Sequence, residues 1–82
     1  MKKLDTVLID WYDSCADITP WIHTDDFDYK QHEEYMVHHT KGYFIHKSKI
    51  ATYVCQSIQK DGCKLGGIFS IPNGCIIKVT KI

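Results

Sequence analysis

Apolar and polar positions alternate at the start of the chain. Val7, Ile9 and Trp11 interleave with Leu8, Asp10 and Tyr12, and a period of two among β-branched and aromatic residues predicts a strand over residues 5–12. Asp13-Ser14 should end it, because both side chains bond readily to their own backbone in turns. A connection over residues 14–24 carries Pro20 and Trp21. Thr24 then suits a helix N-cap, with Asp25, Asp26 and Asp28 in a first turn where the helix dipole favours negative charge. The pattern predicts a short helix over 25–34. Its apolar stripe is thin, with Phe27 sharing a face with Gln31 and Glu34, so it should depend on packing against the sheet.

From residue 35 the pattern is that of a meander. Residues 36–46 are rich in strand formers around Gly42, which in a strand suggests a bulge or tight bend. Ser48-Lys49 marks a turn. Residues 50–58 form the next strand, with Ile50, Thr52, Val54 and Ile58 on one face and Tyr53 and Cys55 on the other. A loop from Lys60-Asp61-Gly62 to Gly66-Gly67 leads to a short strand over 68–71. Pro72-Asn73-Gly74 carries Asn-Gly, the strongest short hairpin signal, and residues 75–82 close the structure.

Five short antiparallel strands cannot leave both faces of their sheet wet. The expected fold is therefore mainly β, a single domain over residues 1–82. It should be a strongly bent five-stranded antiparallel sheet or a small barrel of the SH3 or Sm-like kind, with Gly42 and Gly66-Gly67 at the corners. An open sheet with the helix across one face is the competing arrangement. A small core needs large apolar bodies, which places Trp11 and Trp21 inside.

Composition narrows the class. With 82 residues, 44% hydrophobic and 24% charged, the chain is too apolar for disorder and fits one modest core. No apolar run nears the ~20 residues that span a bilayer, and Asp5 and Asp10 interrupt any signal-peptide core. No membrane association is expected, and the cytoplasm of a host cell is the expected compartment. Cys15, Cys55, Cys63 and Cys75 are then reduced thiols, some packed as small hydrophobes. All ten basic residues are lysine. Lacking arginine, the chain lacks the usual bidentate reader of phosphate and guanine. Net charge is zero but unevenly spread. Residues 1–34 hold three lysines against nine acids, and residues 35–82 hold seven lysines against Asp61 alone, leaving −6 and +6. The halves either neutralise each other in the fold or form a polarised surface for a partner.

Candidate chemistry is sparse. Structural zinc sites need closely paired ligands, whereas seven residues intervene between Cys55 and Cys63, eleven between Cys63 and Cys75, and Cys15 is isolated. Adjacent His38 and His39 point to opposite faces of a strand. No metal site and no cofactor is expected. No cysteine or serine has the local context of an activated nucleophile, and Asp25-Asp26 and Glu33-Glu34 read as solvated charge. An enzyme is therefore not expected. One stretch interleaves cations with aromatics: His38, His39, Lys41, Tyr43, His46, Lys47 and Lys49. Such platforms hold bases or nucleotides by stacking and phosphate attraction. The same residues also suit a wet outer sheet face with lysines guarding its edge. His39, Lys41, Tyr43, Lys47 and Lys49, with Tyr12 and Tyr53 as exposed aromatics, are the candidate binding residues.

The order of several pieces resembles a family of small bacteriophage and prophage proteins. These pieces are Trp11 with Asp13-Ser14, a second Trp21, Gly42-Tyr43, Gln56-Ser57, and a terminal Ile71-Pro72 with spaced Ile76, Val79 and Ile82. The chain departs from the pattern at Lys41, where an aliphatic is usual, and at Asp10 before Trp11. The resemblance implies a phage source and a small-barrel fold rather than a mechanism. By analogy with phage accessory proteins, it implies stoichiometric binding that inhibits a host or host-defence protein. Sequestration of a nucleotide signal and nucleic-acid binding are the alternatives. Assembly through strand edges stays open.

Overall fold

The alternation of Val7, Ile9 and Trp11 buries all three on one side of strand β1 (Thr6–Tyr12), and this row is the floor of the core. The computed structural model describes residues 1–16 and 21–82; residues 17–20, including Pro20 of the expected connection, lie outside the described residues. A 3₁₀ turn (Thr24–Asp26) and helix α1 (Tyr29–Met36) follow. Next come β2 (Val37–Lys47), β3 (Ala51–Ile58), β4 (Leu65–Pro72), a second 3₁₀ turn (Asn73–Cys75) and β5 (Ile76–Lys81). The five strands form one antiparallel sheet in the order β4-β3-β2-β1-β5. The mainly β, bent-sheet expectation holds, and the sheet stays open rather than closing into a barrel.

Why the sheet bends follows from its connectivity. Strands β4 and β5 are its two edges, yet only Asn73–Cys75 separate them. Flat, the edges would lie roughly 19 Å apart at normal strand spacing, while three residues of 3₁₀ helix advance about 6 Å. The sheet must therefore curl. Its inner face holds Val7, Ile9, Trp11, Val54 and Ile71, with Phe44, Cys75 and Ile76 packed against them. Trp11 meets Phe69 edge-on at 5.7 Å, and its indole N–H donates to Thr40 Oγ1 at 2.9 Å, so the ring is buried without a stranded donor.

Several sequence expectations are corrected here. Asn73-Gly74 does not make a hairpin, because β4 and β5 do not pair with each other. Asn73 instead clamps a corner. Its side chain accepts from Thr52 Oγ1 and donates to the Ser48 carbonyl, both at 2.8 Å, while its backbone N–H donates to the Ile50 carbonyl at 2.9 Å. Ile50, expected on a strand face, lies in the 48–50 turn and is 78% exposed. Strand β4 begins at Leu65, so Gly66 and Gly67 lie within it rather than before it, and Gly67 adopts φ 66°.

Gly42 marks neither a bulge nor a corner. It pairs in register with Val7, and a Cβ there would stand 2.8 Å from the Cys55 carbonyl oxygen. Its role is close approach of β2 to β3. The bulge lies three residues on, at Ile45, where the partners of Val54 and Tyr53 are Phe44 and His46.

The helix also starts later than expected. Asp28, not Thr24, caps it, accepting from the Lys30 N–H at 3.1 Å, while Thr24–Asp26 form a separate 3₁₀ turn capped by His23. Helix α1 buries no residue and is not packed across the sheet. Its last residue, Met36, is followed at once by Val37 of β2. The molecule is long and thin, 55 × 22 × 21 Å with a radius of gyration of 16.4 Å, against about 12 Å for a compact domain of this length. Among the described residues no helix is long and apolar enough to cross a membrane.

The segment preceding β1 is tied down electrostatically. Asp5 accepts from the Lys2 backbone N–H at 2.9 Å and lies 3.7 Å from Lys81 Nζ on β5. The Lys2 N–H, aided by the Lys81 ammonium and opposed by desolvation, holds the Asp5 carboxyl below its ordinary value of 3.8.

Four variants test these assignments. Gly42→Ala should lower stability in urea by about 2 kcal/mol, because a carbonyl must move. Gly74→Ala, whose Cβ would meet nothing within 4 Å, should stay within about 0.5 kcal/mol. Asn73→Ala should cost about 2 kcal/mol by stranding the buried Thr52 hydroxyl. A depressed carboxylate stabilises fully above its unfolded value and ceases to as pH falls through its lower native one. The Asp5 contribution should therefore vanish below 3.8, and Asp5→Asn should flatten that part of the acid-unfolding curve.

Candidate functional site

Strand register decides which candidate residues can act together, because side chains of directly paired residues share a face. On the outer face of the sheet, Tyr12, His39, Lys41 and Tyr43 lie together, His39 opposite Asp10 and Lys41 opposite Leu8. Tyr43 continues across to Cys55 on β3 and on to Ile68 on β4. The Ile45 bulge then changes the parity of β2. His46 joins the outer face beside Tyr53, their rings stacked at 6.4 Å and 19°. Lys47 turns to the inner face opposite Thr52. Lys49 sits in the turn after β2. The seven candidates therefore do not form one surface: five share the outer face, one faces inward and one is at a corner.

The outer-face platform is weakly suited to an anion. Asp10 lies within it, hydrogen-bonded to His39 Nδ1 at 2.6 Å and paired across the sheet with Lys78. The face is the outside of the curl, and of its candidate residues Tyr12 borders a depression with Glu33 and Met36. Tyr12 is 44% exposed, whereas Tyr53 is half-buried against His46. Among the described residues no group of three or more His, Cys, Asp or Glu is placed to hold a metal. The four cysteines are free: Cys55 is buried, Cys75 half-buried, and Cys15 and Cys63 exposed.

The largest departure from the sequence reading is Trp21, expected in the core and found 91% exposed. It belongs to an arm that leaves the sheet between β1 and β2. The Asp13 N–H donates to the Met36 carbonyl at 2.8 Å and closes its base. Every described residue from Ser14 to Tyr35 is exposed except His32, which is half-buried. Yet the arm carries Ile22, Phe27, Tyr29 and Tyr35, each more than half exposed. Phe27, His32 and Tyr35 form an aromatic row with centroids 5.1 and 6.2 Å apart, and Tyr35 OH accepts from Gln31 Nε2 at 2.9 Å. Around them stand Asp25, Asp26, Asp28, Glu33 and Glu34 against Lys30 alone. The signal in the sequence was the thin apolar stripe of the helix, which leaves these aromatics no sheet to bury against.

A second feature lies on the inner face, where the curl stays open. Phe44, Ile76 and Val79 wall a groove of about 600 Å³, to which Thr52, Asn73 and Lys47 add polar atoms and Met1 a further apolar one. No family model, curated protein or solved structure matches this chain, so the site is read from its own geometry. If the outer-face platform were a nucleotide site, Lys41→Ala or Tyr43→Ala would abolish a nucleotide-induced rise in melting temperature. The convex, Asp10-bearing surface predicts that neither cyclic nor linear nucleotides raise it at all, measured by differential scanning fluorimetry.

Proposed function

We propose that this chain is a non-enzymatic accessory binding protein of a bacteriophage or prophage. It acts in the host cytoplasm by docking stoichiometrically on a host protein and blocking it, and its contact element is the arm over residues 14–35. The observation that carries the reading is that this arm exposes Trp21, Ile22, Phe27, Tyr29 and Tyr35 while none of its described residues is buried. Soluble chains seldom leave so many large apolar side chains together in water unless a partner covers them. Aromatic anchors ringed by polar groups are also what binding hot spots consist of.

The charge of the arm says what the partner should look like. Six carboxylates and one lysine over residues 14–35 would repel nucleic acid and acidic surfaces and would steer the arm towards a basic patch. The partner should therefore present apolar depressions rimmed by lysine or arginine. The inhibitory role rests on the phage resemblance; the docking role rests on the arm.

The test is capture from a bacterial host lysate with wild type and variants compared side by side. Trp21→Ala and Phe27→Ala should each leave the melting temperature nearly unchanged, since both side chains are exposed. Each should weaken capture of the specific partner at least tenfold, as loss of a ~2 kcal/mol anchor requires. Capture should also weaken as salt rises. A partner held equally well by both variants would refute the arm as the contact element.

A further inference from the structure

The groove on the inner face differs in chemistry from the arm and lies elsewhere in the molecule. Its walls are the aromatic ring of Phe44 and the aliphatic side chains of Ile76 and Val79. The two neutral polar groups beside them are already satisfied by each other and by the chain. Thr52 Oγ1 donates to Asn73 Oδ1, and Asn73 Nδ2 donates to the Ser48 carbonyl. Lys47 is different. Among the described residues no carboxylate lies within ion-pair distance of it, whereas Asp5, an inner-face carboxylate by strand parity, is engaged by Lys81 and the Lys2 N–H.

Lys47 faces the groove only because of the Ile45 bulge. With regular pairing, alternation from Tyr43 would set residue 47 on the outer face with Lys41; the extra residue puts it opposite Thr52 instead. Bulges re-aim side chains in this way and are frequent beside binding sites. Here the result is a side-chain ammonium at the edge of an apolar trough, which Met1 also lines and whose volume, about 600 Å³, falls in the range of small-molecule sites. An apolar surface beside a cation that no described carboxylate pairs is complementary to an amphipathic anion.

We infer that this groove binds an apolar monocarboxylate, its hydrocarbon body against Phe44, Ile76 and Val79 and its carboxylate on the Lys47 ammonium. The hydrocarbon gains from leaving water, roughly 25 cal/mol for each Å² buried. The charge-assisted hydrogen bond supplies selectivity for a carboxylate over an alcohol of the same length. The site belongs to the sheet and stands whether or not the arm docks on a protein.

The probes are sodium decanoate, decanol and decylammonium, titrated separately into the full chain while methyl NMR shifts of Ile76 and Val79 are followed. Decanoate should give saturable shifts at these methyls and bind about tenfold more tightly than decanol, with decylammonium weakest. Lys47→Gln, at an exposed position that leaves the core intact, should remove the preference for decanoate and leave decanol binding unchanged. Val79→Trp, which fills the groove, should abolish both. Absence of saturable shifts, equal affinity for decanoate and decanol in the wild type, or a decanoate affinity untouched by Lys47→Gln would each overturn the inference.

Discussion

Three residues carry the chain from one edge of the sheet to the other, and most of the structure follows from that short link. Because Asn73–Cys75 cannot bridge a flat five-stranded sheet, the strands must curl, and curling is what gives so short a chain an inside. Val7, Ile9 and Trp11 from β1 then meet Val54 of β3 and Ile71 of β4, residues far apart in sequence. The hydrogen bonds of Asn73 hold the corner against the 48–50 turn. The same link leaves β4 and β5 unpaired with each other, so the curl has an open side, and the apolar groove lies there.

How far the sequence could be read depends on whether a local rule met a non-local one. The β1 row was legible because β1 pairs with β2 in unbroken register from Thr6 to Tyr12, the shift against β5 at Asp10/Trp11 placing its extra residue on β5, and because only one of its faces is buried. On β2 the same parity argument fails at Ile45, where one extra residue reassigns His46 and Lys47; nothing in the local composition announces it. Asn73-Gly74 carries a strong turn signal, and a turn is there. Which strands it joins in space depends on β5 pairing with β1, a contact between the two ends of the chain. Gly42 signals an unusual backbone position but not its cause, since the crowding atom is the Cys55 carbonyl on the neighbouring strand. Trp21 was misplaced by size alone: a large apolar side chain suits a core only where an element brings it there.

The zero net charge conceals two unlike parts. The sheet keeps its lysines spread over faces and edges, with Asp5 and Asp10 drawn into contact with Lys81 and His39. The arm gathers most of the remaining carboxylates around aromatic side chains in water. Neither part supplies the other with a direct counter-charge among the described ion pairs, so the internal balance visible in the sequence is a sum over separated surfaces. Such a molecule carries a large dipole, which orients it during encounter before any contact forms.

Helix α1 and strand β2 meet without a single intervening residue, Met36 being helical and Val37 already paired with Tyr12. A joint of that kind has no slack. Loops are where most attached segments swivel; here one leg of the arm is fused to the stiffest part of the fold, so its aromatic row is presented at a set angle to the sheet. Less rotational freedom is then surrendered when something grips the helix, and any pull on it is transmitted straight along β2 into the centre of the sheet.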